Sequence, residues 1–208
     1  MPWQCGMMLR LQFNNRVALS SCNRPAIRVV HREGVTGITF ESVALEAGLT
    51  RGGMLYHFPS RDALLLGIHE HLACQWETLL EKVAGKPAHE ASAQERIAAY
   101  VQACTDGRST RVELQLMLEG ATQPELAAPW AGVLSRWIPV TEDDDANLAA
   151  MWVVRLAADG LWVHESLAST PVATRMRRRI GRMLLDMIPK ETTSGQSEKE
   201  GNDDARRC

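Results

Sequence analysis

The most specific chemistry in the chain lies between positions 50 and 61. Thr50, Arg51, Gly52 and Gly53 open a helical pattern that continues through Tyr56 and His57, and Arg61 follows the next helix start. A guanidinium at the head of a helix can grip a guanine edge through two hydrogen bonds. Such a contact is worth about 1–3 kcal/mol of discrimination between bases. The two glycines are costly there, at roughly 1 kcal/mol each relative to alanine. Packing alone does not favour two glycines in one first turn. A DNA edge that must approach that turn closely would.

These residues need a scaffold, and residues 38–66, ITFESVALEAGLTRGGMLYHFPSRDALLL, supply one. Thr39 is placed to cap a helix carrying Phe40, Val43, Ala44 and Ala47 on one face. Gly48 stands where that helix must end, through a left-handed residue. Thr50 is placed to cap a second helix from Arg51 to about His57, with Leu55 expected to face inward. Two helices joined by a short glycine-containing turn form the helix-turn-helix pattern. Its second helix enters the DNA major groove and its first braces the backbone. The hydroxyl and helix N-terminus at Thr39 suit a phosphate.

The stretch resembles the DNA-binding domain of the tetracycline-repressor (TetR) family of bacterial regulators. The resemblance rests on Glu33-Gly34, Thr39, Val43-Ala44, Glu46 to Thr50, Gly52-Gly53, Leu55 to Phe58, and Ser60-Arg61 before Leu64, in unbroken spacing over residues 17–66. It implies that Thr39, Tyr56 and Arg61 hold phosphates and that Thr50, Arg51 and Gly52 lead the helix that reads bases. Gly53 and His57 fall on the same segment; for His57 a packing role is equally open. The resemblance also implies a homodimer formed by the last two helices, an effector pocket in the body, and release of a double-stranded operator on ligand binding. Pro25 departs from the pattern: either helix 1 is kinked there or it starts late, near Asn23.

Composition agrees with a two-part chain. Residues 1–66 hold seven Arg against four acids, whereas residues 67–208 hold 16 basic and 21 acidic residues, within a net charge of −2 over 208 residues. A basic head on an acidic body suits a DNA reader with a separate second domain. The expected division is a DNA-binding domain over 1–66, with 1–15 as an arm, then an effector and dimerisation domain over 67–189. A polar tail over 190–208 is expected to be disordered.

The five cysteines are scattered, with no CxxC pair, which suggests a reduced, cytoplasmic protein without structural metal or disulfides. His69-Glu70-His71 lacks zinc spacing, because its imidazoles point to opposite sides of a helix. No cofactor is expected, no apolar run is long enough to cross a membrane, and Met1–Met8 lacks a signal-peptide core. No nucleophile motif or phosphate-cradling loop supports an enzyme. The rival reading is a helical ligand-binding or interaction protein that has lost DNA binding.

Beyond the head, helical periodicity continues and no segment alternates with period two, so the fold class is all-α with about nine helices. Ser60 should cap helix 4 to about Val83, with Leu64, Ile68, Leu72, Trp76, Leu79 and Val83 as its inner stripe. Helix 5 spans roughly 91–105, helix 6 about 110–119, and helix 7 runs from Pro124 to Trp137. Acids 142–145 open helix 8, and Pro171 opens helix 9, which runs to Ile188. Helix 8 is apolar almost all round and is expected to be buried on every side, partly by a second subunit. Trp162, Leu167, Met176, Ile180 and Leu184 are the expected dimer contacts. The arginines of helix 9 read as a solvated face or as partners for acids across an interface. Trp76, Tyr100, Met117, Trp130 and Trp152 are candidates for an apolar effector pocket suited to a flat hydrophobic or cationic ligand.

Overall fold

Hydroxyl caps and left-handed glycines set the N-terminal unit. A computed structural model describes residues 23–106, 110–138 and 146–189. The arm, the acids at 142–145 and the tail lie outside the described residues, as does the start of helix α1. This helix is continuous from 23 to 33, buries Pro25, Ala26, Val29 and Val30, and ends before Gly34. A 3-10 turn, Val35–Gly37, leads to Thr39, whose hydroxyl accepts from Ser42 N at 3.0 Å while Ser42 Oγ accepts from Thr39 N at 3.0 Å. This reciprocal box starts α2, Phe40–Ala47.

Gly48 ends α2 at φ 66°, in the left-handed region. A Cβ added there would meet nothing within 4 Å, so the requirement for glycine is purely one of backbone. Gly48→Ala is therefore expected to lower stability by roughly 1–2 kcal/mol, the cost of a left-handed L-residue. Urea unfolding of the two proteins measures it.

Thr50 caps α3, Arg51–His57, by accepting from Gly53 N, and Ser60 caps α4, Arg61–Ala84, by accepting from Ala63 N. Within α3 the expected inward residue is wrong. Leu55 is 41% exposed, whereas Met54 and Phe58, four positions apart and therefore on one side, are both buried.

The body adds α5 (Ala93–Thr105), α6 (Arg111–Gly120), α7 (Pro124–Trp137), α8 (Ala146–Leu167) and α9 (Thr174–Asp186). No strand occurs among the described residues, and the architecture is all-α. α5 and α7 pack on α4, and α5 also packs on α8 and α9. With 24 residues, α4 is about 36 Å long and belongs to both halves. A second contact joins the halves where the Val35–Gly37 turn meets α6. Among the described residues, no helix is long and apolar enough to cross a membrane.

One expectation for the last helices needs correction. Pro171 does not open α9. The Glu165 carboxylate accepts from Val172 N at 2.7 Å and pairs with Arg177 at 3.2 Å, which holds the chain outside the helix until Thr174. Within the single chain, α8 is covered on one side. Val154, Ala158, Leu161 and Trp162 face the core, while Trp152, Val153, Leu156, Val163 and Leu167 stand open on the other side. Met176, Met183 and Met187 of α9 extend the same kind of open apolar surface. Of the expected dimer contacts, Leu167 and Met176 are exposed and Ile180 is half-buried. Trp162 and Leu184 are core residues of their own subunit and are not on the open face.

Candidate nucleic-acid interface and ligand cavity

Ion pairs hold the reading head together. Glu46 of α2 bridges to Arg28 at 2.6 Å and Arg32 at 3.0 Å, tying α2 to α1, and those guanidinium hydrogen bonds hold its carboxyl below the usual range. Arg61 at the start of α4 donates from Nε to Ile38 O at 2.9 Å and from Nη2 to Val35 O at 3.2 Å. It thereby fixes the segment that precedes Thr39. A guanidinium has five donors, so some remain for a phosphate. Sequence reading missed the bracing role, because its partners lie more than twenty residues away.

The face built on this frame is open. Arg51 is exposed and pairs with Glu41 at 3.0 Å. A solvated pair of this kind contributes little, so Arg51 is free to exchange Glu41 for another partner. Tyr56 is 86% exposed and meets the half-buried His57 edge-on. The two glycines differ. A Cβ on Gly53 would sit 3.3 Å from Thr50 Oγ1, so the cap itself crowds that position, whereas a Cβ on Gly52 would meet nothing. Gly52 alone lacks an internal reason to be glycine.

In the body, a cavity of about 310 Å³ lies between α4, α5, α6, α7 and α8. Trp76, Tyr100, Met117 and Trp130 line it together, as do Leu80, Leu114 and Val133. Trp152 does not; its ring lies on the open side of α8 under the Arg155 guanidinium, 4.9 Å from the ring centre. Trp162 also lines it, and two charged wall residues, Arg155 and Asp159, escaped the sequence reading. Trp162 stacks edge-on to Trp76 at 6.1 Å. Tyr100 donates to Asp159 Oδ1, and Arg155 Nε lies 3.6 Å from Asp159 Oδ2. Burial, first of all, pushes the Tyr100 hydroxyl well above its ordinary pKa, with Cys104 and Asp159 acting in the same direction. The pair was legible: Arg155 and Asp159 are two charges four residues apart in an otherwise apolar run.

His69, in the middle of α4, is fully buried beside this cavity. Trp130 Nε1 donates to His69 Nδ1 at 2.9 Å, which places the imidazole proton on Nε2. A Cβ on Gly120 would sit 2.9 Å from His69 Cε1, so α6 accommodates the ring only through a glycine. Burial lowers the His69 pKa, opposed by Glu119, and burial followed by Arg24 lowers that of His71. The unfolded chain therefore binds protons that the native state refuses. Stability should be level above the unfolded histidine pKa, near 6.5, and decline as pH falls below it. Urea titrations between about pH 5 and 8 are expected to show this slope, reduced by about one proton in His69→Gln.

Two short capped helices across a left-handed glycine, the second of them outermost, sit on a helical body with an internal cavity. That combination is the architecture of a helix-turn-helix regulator with a separate helical body domain. The family model for bacterial regulatory proteins of the tetR family matches residues 25–68, and that for the tetracyclin repressor-like C-terminal domain matches residues 94–189. The chain belongs to the TetR family of transcriptional regulators, which are DNA-binding proteins and not enzymes.

Among its relatives, an uncharacterized HTH-type transcriptional regulator of Bacillus subtilis strain 168, YerO, is 31% identical over 71 residues, covering 32% of this chain. The match spans 25% of the length of that relative. Solved structures show the fold. The multidrug binding protein EbrR, complexed with imidazole, superposes with a TM-score of 0.54 at 24% identity over 84% of this chain and 91% of its own. Complexed with malachite green, it gives 0.57 at 20% identity over 83% and 98%. A TetR-family member from Streptomyces coelicolor A3, SCO1917, gives 0.55 at 20% identity over 82% and 98%.

Proposed function

We propose that the chain is a cytoplasmic, dimeric repressor that releases a pseudo-palindromic operator when a small hydrophobic or cationic effector fills the α4–α8 cavity. The observation that carries this reading is the course of α4. One end of the helix holds the reading head through Arg61, and the other supplies Trp76 and Leu80 to the cavity wall. A ligand that reshapes the wall acts on the same rigid rod that positions Arg51 and Tyr56. The open α8–α9 face supports the dimer, and a dimer reads two half-sites about one helical turn or a multiple apart. EbrR, which shares the fold, binds malachite green and ethidium.

Linkage makes the coupling reciprocal: an effector that weakens operator binding is itself bound less tightly by the DNA complex, by the same factor. The test follows tryptophan fluorescence and operator anisotropy together in a panel of aromatic compounds. Compounds that quench Trp76, Trp130 and Trp162 are expected to lower operator affinity by about 5- to 150-fold. Quenching without any change in operator affinity would refute the coupling.

A further inference from the structure

We infer that an open groove between α4, α5 and α9 is a second ligand site and takes an amphipathic anion, a phosphate or carboxylate head on a hydrocarbon chain. The groove has a volume of about 890 Å³ and shares no lining residue with the cavity. Lys82, Arg175, Arg178 and Arg182 border it, against one carboxylate, Asp106. This excess of positive charge runs against its surroundings, because residues 67–208 hold 16 basic and 21 acidic residues. All four cations are exposed, and their side chains make no ion pair or hydrogen bond among the described residues.

Folding alone does not favour this arrangement. The first turn of α9 holds no acid, so Arg175 meets the positive end of its own helix as a like charge. Arg177 is neutralised by Glu165, whereas the groove arginines are not. An anion between them would offset both repulsions, and guanidinium groups suit phosphate and carboxylate oxygens. The floor explains the hydrocarbon part. Leu79 and Val83 of α4 and Leu185 of α9 are half-buried apolar side chains lining the same groove. A bare phosphate or a nucleic-acid backbone leaves that floor unused. DNA held by α3 is also remote, because Leu79 and Val83 lie about 27–33 Å along α4 from Arg61. The open methionine face of α9, Met176, Met183 and Met187, points roughly 130° away from the groove arginines. A subunit seated on that face leaves the groove open.

Calorimetry on the full-length protein tests this with octyl phosphate below its micelle concentration, inorganic phosphate, 1-octanol and octyltrimethylammonium. Octyl phosphate is expected to bind at least about tenfold more tightly than inorganic phosphate, since several methylenes leave water, and more tightly than the neutral and cationic chains. Replacing both Arg178→Gln and Arg182→Gln is expected to lower its affinity about fivefold, the scale of two exposed ion pairs. The same variant should not melt lower than the parent, because neither arginine has a partner to lose. Arg179→Gln, on α9 but outside the groove, is the control and should leave the affinity within about twofold. Vesicles of phosphatidylglycerol separate a lipid surface from a free amphiphile. Binding to those vesicles without binding of octyl phosphate would overturn the inference. So would equal affinity for octanol and octyl phosphate, or an equal loss in Arg179→Gln. Absence of octyl phosphate binding, with weaker binding of scrambled DNA in the double variant, would make the arginines a DNA surface instead. None of these outcomes depends on the cavity being the effector site.

Discussion

Leu156→Arg is expected to leave a folded monomer that no longer holds an operator. Leu156 is 60% exposed near the centre of the open side of α8, between Trp152 and Val163. Because the position lies outside its own subunit's core, the substitution spares folding. In a dimer it would place a charge in an apolar seam without a partner, which association does not tolerate. Sedimentation should show one subunit where the parent shows two. Operator affinity should fall on the order of 100-fold, since two half-sites are then no longer bound as one unit. Leu184→Asp serves as the contrast. Leu184 is buried within its own subunit, so that variant should lose folding together with association. A Leu156→Arg protein that remains a stable dimer would place the subunit contact elsewhere.

Arg51 and Arg61 are both cationic, ten residues apart, and should fail in different ways. Arg51 stands exposed at the start of α3, held only by a solvated pair with Glu41. Its loss is expected to cost about 1–3 kcal/mol on the true operator, to blur preference at one base pair, and to leave thermal stability unchanged. Arg61 is bonded to the carbonyls of Val35 and Ile38. Arg61→Ala should weaken all sequences about equally and reduce the salt slope by about one unit. It should also lower the melting temperature, because two charge-assisted hydrogen bonds to backbone are lost. Binding measured across salt concentrations on operator and scrambled DNA, together with thermal melts, separates the two. If the variants behave alike, α3 is not the reading helix.

Local chemistry made the reading head legible. Thr39, Thr50 and Ser60 act within three residues of themselves, and Gly48 is fixed by its own φ, so each cap could be read from neighbours in the chain. What the sequence hid was orientation. A seven-residue helix is too short to reveal its phase, so its pattern points Leu55 inward where the fold buries Met54. In α8 almost every position is apolar, and an unbroken run contains no signal for which side meets the core. That ambiguity set Trp162, which lines the cavity, among the expected dimer contacts, and Trp152, whose ring stands on the open side of α8, among the expected cavity residues. Arg61's carbonyl partners and Glu165's hold on Val172 depend on segments brought together by the fold, which no local pattern records.

In the proposed mechanism, α3 reads DNA as one of a symmetric pair. Selection of bound fragments from random-sequence duplex DNA by the purified protein, followed by anisotropy on the enriched sequence, tests this most directly. The expected result is an inverted repeat whose half-sites are centred about one helical turn, or a multiple of it, apart. Its preference should weaken at one symmetric position in Arg51→Ala. Recovery of no enriched sequence, or of a single unrepeated half-site bound by one subunit, would contradict it.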